Sequence, residues 1–128
     1  MCHLLIDFVH GTLSFPEIDI TLSGLHRKEK ALYILFVYEA YNMAIRDEDG
    51  SIKQNGGINF TPPTSAKQLS KFNHRMELLQ KKYAKIYSAF GGDAENAPDI
   101  TKADIRLPMI SGIRRAINKH SEKIYDAE

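Results

Sequence analysis

The chain has few of the features from which a chemical activity is usually inferred. Its single cysteine, Cys2, excludes an intramolecular disulfide, and no cysteine or histidine spacing resembles a zinc site. The longest apolar run, residues 31–38, has eight residues, whereas a helix that spans a bilayer needs roughly 20. The N-terminus lacks a basic region followed by an apolar stretch and a cleavage site. We therefore expect a cytoplasmic protein with no metal site and no membrane segment.

No group of residues predicts catalysis or a cofactor. Neither Gly56-Gly57 nor Gly91-Gly92 has the surrounding pattern of a phosphate-binding loop. The acidic segment 47–49 lacks the ligand order of an EF-hand and is interpreted as a solvated turn. The protein is accordingly expected not to be an enzyme and to need no cofactor. The histidines are dispersed, and none has a carboxylate or nucleophile at a spacing that predicts a site: His3, His10, His26, His74 and His120.

Size and charge limit the class of protein and partner. With 128 residues, 43% of them hydrophobic, the chain is long enough to bury a sizeable core, and one domain is predicted over residues 1–128. The formal net charge of +1 conceals an asymmetry. Residues 1–64 carry 5 Lys/Arg against 8 Asp/Glu, a net charge of −3, and residues 65–128 carry 12 against 8, a net charge of +4. A polyanionic partner would therefore meet the C-terminal half.

The first 22 residues have the pattern of an antiparallel hairpin. Residues 3–9 are rich in aliphatic side chains, Gly11 offers a turn, and residues 17–22 alternate polar and apolar. Pro16 removes a backbone donor, so its strand should lie at an edge or break there. Residues 58–60 are predicted as a further short strand of this sheet.

Two helices follow. The first is predicted over residues 25–45, and its apolar middle, 31–37, indicates a helix enclosed by other elements. The second is predicted to begin after a cap at Thr64 or Ser65 and to stop at Gly91-Gly92. Its apolar stripe would pack on the first helix or, alternatively, form a homodimer seam. The stripe alternates spacings of three and four: Leu69, Phe72, Met76, Leu79, Tyr83, Ile86 and Phe90.

A last helix is predicted over residues 108–123, with Pro108 in its first turn. The preceding segment 101–104 has the spacing of a capping box and predicts a short helical turn. One face of the last helix carries the aliphatic side chains Ile110, Ile113, Ile117 and Ile124. The opposite face is polar and basic, with residue types that contact phosphates and base edges in DNA. The alternative is an ordinary solvated surface.

Three segments together resemble a known family. They are Leu22-Ser23 with Glu29 six residues further on, the helical segment 32–35 (LYIL), and the segment 110–119 (ISGIRRAINK). In this order they look like the winged-helix effector domain of OmpR-type response regulators, whose third helix enters the major groove. They are also similar to a group of uncharacterised proteins from Bacteroidetes-type bacteria. Compared with that family, the second helix is expected to be long and residues 46–65 to be an insertion. A phosphoacceptor domain is not expected before the fold, and the C-terminal wing is expected to be reduced or absent.

The expected fold is therefore α+β and winged-helix-like, with an N-terminal antiparallel hairpin packed on three main helices. The expected function is double-stranded DNA binding of the transcription-regulator type. The alternative is a protein-interaction or homodimerisation module that uses the stripe of the second helix. In the DNA-binding interpretation, Ser111, Arg115 and Asn118 face base edges. Phosphates are neutralised by Arg114, Lys119 and Lys123, with Lys102 and Arg106 near the helix entrance.

Overall fold

The N-terminal part of the chain forms a small antiparallel sheet. The computed structural model describes residues 4–45, 58 and 60–120, and for residues 40–45 only the backbone. Strands β1 (Leu5–Asp7), β2 (Thr12–Phe15) and β3 (Ile20–Thr21) lie in the order β1-β2-β3. Leu5 is paired with Ser14, and Phe15 is paired with Ile20. One face of the sheet is buried, as the alternation predicted.

Pro16 breaks the strand in which the sequence placed it. A 3-10 turn at Pro16–Ile18 and a left-handed residue, Asp19 (φ 51°), separate β2 from β3. The predicted break is therefore confirmed, and the predicted two-stranded hairpin becomes three strands. Gly11 has φ 66° in the turn between β1 and β2, as expected for a turn glycine. Further along, Ile58 and Phe60 are not strand residues, so the extra strand predicted there is wrong.

Within the described residues, three α-helices complete the fold: α1 (Arg27–Ile45), α2 (Ala66–Ala89) and α3 (Ala103–Asn118). Helix α1 packs against both α2 and α3, and the buried residues of sheet and helices form one hydrophobic cluster. The α+β class and the arrangement of an N-terminal sheet with three helices are confirmed. The predicted enclosure of α1 holds as far as Phe36, because Val37 and Tyr38 are exposed.

Helix α2 ends as its glycines predict. The N–H of Gly92 donates to the carbonyl of Tyr87, and the N–H of Gly91 donates to the carbonyl of Ser88, which is the Schellman pattern. Gly91 has φ 88°, a conformation that residues with a Cβ adopt at a cost. Arg27 at the start of α1 donates its Nε to the carbonyl of Phe90 at 3.0 Å and so ties the two helix ends together. Ser65 is the N-cap, although its side chain makes no capping hydrogen bond.

The stripe of α2 lies inside the chain. Met76, Leu79 and Tyr83 are buried by the other elements of the same molecule. Phe72 and Ile86 are half-buried against this core, and only Leu69, at 37% exposure, reaches the surface. The intramolecular alternative is therefore confirmed. A homodimer seam through Met76, Leu79 and Tyr83 is wrong, because these side chains are buried within one molecule and have no surface for a second copy.

Helix α3 begins one and a half turns earlier than predicted. The Asp99 carboxylate accepts hydrogen bonds from the N–H and the hydroxyl of Thr101, and the helix starts at Ala103 with Lys102 as its N-cap. Pro108 therefore lies inside the helix, where its missing N–H leaves the carbonyl of Asp104 without its usual partner. Residues 121–128, which include Lys123, Ile124 and the segment expected to lack a wing, lie outside the described residues.

Tyr83 joins all three helices. Its side chain is fully buried, its hydroxyl donates to the carbonyl of Lys28 at 2.8 Å, and the same oxygen lies 4.0 Å from the sulfur of Met109. Burial raises the pKa of Tyr83 above its ordinary value of 10.0, because desolvation disfavours the phenolate. Tyr87 and Glu29 raise it further.

This shift predicts a loss of stability in alkali. Below pH 10 both the folded and the unfolded phenol are protonated, so the pKa difference has no effect. Above pH 10 the unfolded state loses this proton first, and the free energy of unfolding should fall by about 1.4 kcal/mol per pH unit. Urea denaturation between pH 9 and pH 11 should show this fall for the wild type relative to Tyr83→Phe. Parallel pH profiles for the two proteins would contradict the assignment.

Candidate functional site

The polar face predicted for the last helix lies on the surface. Ser111, Arg114, Arg115 and Asn118 are all exposed along α3. The opposite side of the helix is buried in the core through Met109, Ile113 and Ala116. Ile110 and Ile117 are half-buried beside them. The predicted amphipathic character of the helix is therefore confirmed, and its polar outer face is exposed.

The cations of this face have no side-chain partner among the described residues. Within the described part of the chain, no hydrogen bond or ion pair involves the side chain of Arg114, Arg115 or Lys119. Cations elsewhere have structural partners: Lys82 binds the buried Glu39 at 2.8 Å, and Lys30 donates to the carbonyl of Gly11. Charge that is not used by the fold is available to a ligand.

Arg106 does not belong to this surface. Its side chain is only 8% exposed, donates to the carbonyl of Ile100 at 2.9 Å, and lies over the ring of Phe60 with its guanidinium carbon 3.8 Å from the ring centroid. Burial lowers its pKa by desolvation. The predicted phosphate contact by Arg106 is therefore wrong. The prediction failed because the helix was expected to begin at Pro108, so that Arg106 was placed outside it. In the longer helix, Arg106 precedes Met109 by three residues and Ile113 by seven, and it therefore lies on the same buried side.

Lys102 is exposed at the N-cap of α3, where a phosphate contact is sterically open. Lys123 lies among the residues that the structure does not describe. The predicted set therefore divides into six exposed side chains on or beside α3, one buried arginine and one position without a structural account. The exposed ones are Lys102, Ser111, Arg114, Arg115, Asn118 and Lys119.

A groove of about 680 Å³ runs beside this face, between α3 and the N-terminal end of α1. Its charged and titratable lining consists of the cations Lys28, Arg115 and Lys119, of His26, and of the carboxylates Glu29 and Asp104. Lys119 reaches across it, since its Nζ lies 3.9 Å from the position that a Cβ would take at Gly24. The groove was not predicted, because its walls come from segments about 80 residues apart in sequence.

Glu29 lies at the floor of the groove and is only 7% exposed. Its Oε1 accepts a hydrogen bond from the backbone N–H of His26 at 3.2 Å, which caps the first turn of α1. Its Oε2 lies against Gly112 of α3, so closely that a Cβ at this position would overlap it. Gly112 therefore allows α3 to approach the carboxylate. The sequence singled out Glu29 only through the family resemblance, and its burial is visible only in the structure.

Among the described residues, the histidine, cysteine, aspartate and glutamate side chains form no group that could hold a metal ion. No helix in the described part of the chain is both long enough and apolar enough to cross a membrane.

Comparison with known proteins adds no relative. No family model, curated protein or solved structure matches the chain. The geometry of α3 and the groove is therefore the basis for assigning a function.

Proposed function

We propose that the protein is a winged-helix-like, transcription-regulator-type domain that binds double-stranded DNA through the outer face of α3. The observation that carries this proposal is the row of exposed polar side chains on α3 whose cations have no partner within the described part of the fold. In this proposal, Ser111, Arg115 and Asn118 read base edges. Arg114, Lys119 and Lys102 neutralise phosphates.

The dimensions of α3 fit this role. Sixteen residues form a helix about 24 Å long and 10 to 12 Å in diameter, and the major groove of B-DNA is about 12 Å wide. Lys28 and His26, at the start of α1, flank the same surface through the groove rim. They would meet the phosphate backbone beside the major groove that holds α3.

Salt dependence gives the proposal a magnitude. If Lys28, Lys102, Arg114 and Lys119 each neutralise one phosphate, the logarithm of the binding constant should fall with the logarithm of salt concentration with a slope of about −3.6. Between about 50 and 200 mM salt, affinity should then fall roughly 100-fold. Fluorescence anisotropy with a labelled random-sequence duplex measures both quantities.

A pair of double variants tests the location of the interface. Arg115→Ala with Lys119→Ala should weaken duplex binding at least tenfold, and it should leave stability within about 0.5 kcal/mol because both side chains are exposed. Lys67→Ala with Lys71→Ala, on the exposed face of α2, removes the same charge and should change affinity less than threefold. Binding and urea denaturation are measured for both variants.

Two results would overturn the proposal. One is the absence of duplex binding by the wild type at about 50 mM salt, since phosphate contacts are strongest there. The other is an equal loss in the two double variants, which would show that binding follows net charge and does not involve the face of α3.

A further inference from the structure

The floor of the groove holds a carboxylate oxygen that makes no hydrogen bond with the described residues. Oε1 of Glu29 has the N–H of His26 as its donor, whereas Oε2 has no hydrogen-bond donor among the described residues. No buried side-chain oxygen or nitrogen of the described residues lacks a partner. Oε2 is therefore reached from the groove that Glu29 lines. A carboxylate oxygen with no donor among the described residues favours a ligand group that donates an N–H.

The rim of the groove is mainly cationic, with three cations against the single carboxylate of Asp104. Lys28, Arg115 and Lys119 border it, and Lys119 extends towards the loop at Ser23 and Gly24. An anionic group of a ligand would be stabilised beside Arg115 and Lys119.

Apolar side chains also line the groove. Ile105, Pro108, Met109 and Ala116 form the α3 wall of the groove. They offer an uncharged surface to the body of a ligand whose donor meets Glu29. The volume of about 680 Å³ is within the range of small-molecule sites, roughly 300 to 1,000 Å³.

We propose that this groove binds a free nucleoside monophosphate whose base carries an exocyclic amino group. The amino group donates to Oε2 of Glu29, the base lies against the apolar wall of α3, and the phosphate lies at Lys119 and Arg115. A base with an oxo group at the same position would bring two acceptors together and be rejected. This inference does not depend on DNA binding.

Titration calorimetry of the wild-type protein with four nucleotides tests it directly. The probes are AMP and CMP, which carry the amino group, and IMP and UMP, which carry an oxo group in its place. We expect at least one amino nucleotide to bind at least tenfold more tightly than its oxo counterpart, since an unpaired buried acceptor is costly. Inorganic phosphate should bind more weakly than that nucleotide. Absence of binding by AMP and CMP at millimolar concentration overturns the proposal.

The variant Glu29→Gln separates recognition from a merely structural role. Glutamine can keep the capping hydrogen bond through its oxygen, because the capping position accepts either residue. Its amide N–H₂ then faces the groove and donates to an oxo group. The preference should therefore invert in favour of IMP or UMP, with the circular dichroism spectrum unchanged. An unaltered preference in a folded Glu29→Gln protein would contradict the assignment of Oε2.

The phosphate end has its own control. Lys119→Ala should weaken all four nucleotides by a similar factor and leave the amino preference in place. Lys67→Ala, on the exposed face of α2, should change none of the affinities. Equal losses in these two variants would place the phosphate elsewhere and overturn the proposed orientation.

Discussion

Replacing Tyr83 with alanine is expected to lower the free energy of unfolding by about 4 kcal/mol, because truncation of a large buried aromatic removes transfer energy and leaves a cavity. The side chain has no exposed surface and lies where α1, α2 and α3 meet, with its hydroxyl on the carbonyl of Lys28 and close to Met109. Because the ring fills the space between the three helices, the helices cannot close around the gap without moving the rest of the core. Urea denaturation followed by circular dichroism measures the loss.

Tyr83→Phe is the matched control. It keeps the ring and removes only the hydroxyl, so it should cost about 1 kcal/mol, the usual net value of one hydrogen bond. A cost for alanine no greater than that for phenylalanine would show that the ring is not packed at the helix junction. The position of Tyr83 in the core would then be wrong.

The second large effect is expected at the buried carboxylate of Glu39. This side chain is 3% exposed, and its oxygens lie 2.8 Å from Nζ of Lys82 and 3.4 Å from a guanidinium nitrogen of Arg75. Replacing both cations with methionine would leave a buried charge unpaired. We expect a loss of about 3 kcal/mol, at the low end for buried pairs because Lys82 and Arg75 are themselves half exposed.

Replacing all three charged residues should recover most of that loss. In the triple variant Glu39→Met, Arg75→Met, Lys82→Met, no charge is left buried, and apolar side chains of similar volume fill the site. Lys67→Met with Lys71→Met serves as the surface control and should stay within about 0.5 kcal/mol of the wild type. Chemical denaturation at pH 7 measures the free energy of unfolding of the wild type, the double variant, the triple variant and the surface control. A triple variant as unstable as the double one would contradict a desolvation origin.

The elements themselves were largely predictable because their signals are local. Pro16 broke its strand as a missing donor requires, and Gly91 with Gly92 ended α2 in the hydrogen-bond pattern that glycines favour. The start of α3 was missed for a local reason as well. The Asp99 carboxylate accepts hydrogen bonds from Thr101 and forms the turn before the helix, which therefore begins at Ala103 and not at Pro108.

The candidate site was predictable only in its outer half. The 3.6-residue period of α3 correctly placed Ser111, Arg115 and Asn118 at the surface. Arg106 was misplaced, because its burial depends on Phe60 and Ile100, two residues whose proximity no spacing reveals. The groove was missed for the same reason, since Glu29 and Gly112 meet only when α3 packs on α1.

The sequence by itself determined which faces of the helices are apolar, where most elements begin and end, and that positive charge gathers in the C-terminal half. The tertiary structure alone decided what each face meets. The stripe of α2 packs in the core of the same molecule, and Arg106 is buried as well. Glu29 lines the same groove as the cations of α3. The physical reason is that periodicity reports which side chains leave water, whereas the identity of their partners follows from contacts between segments far apart in the chain.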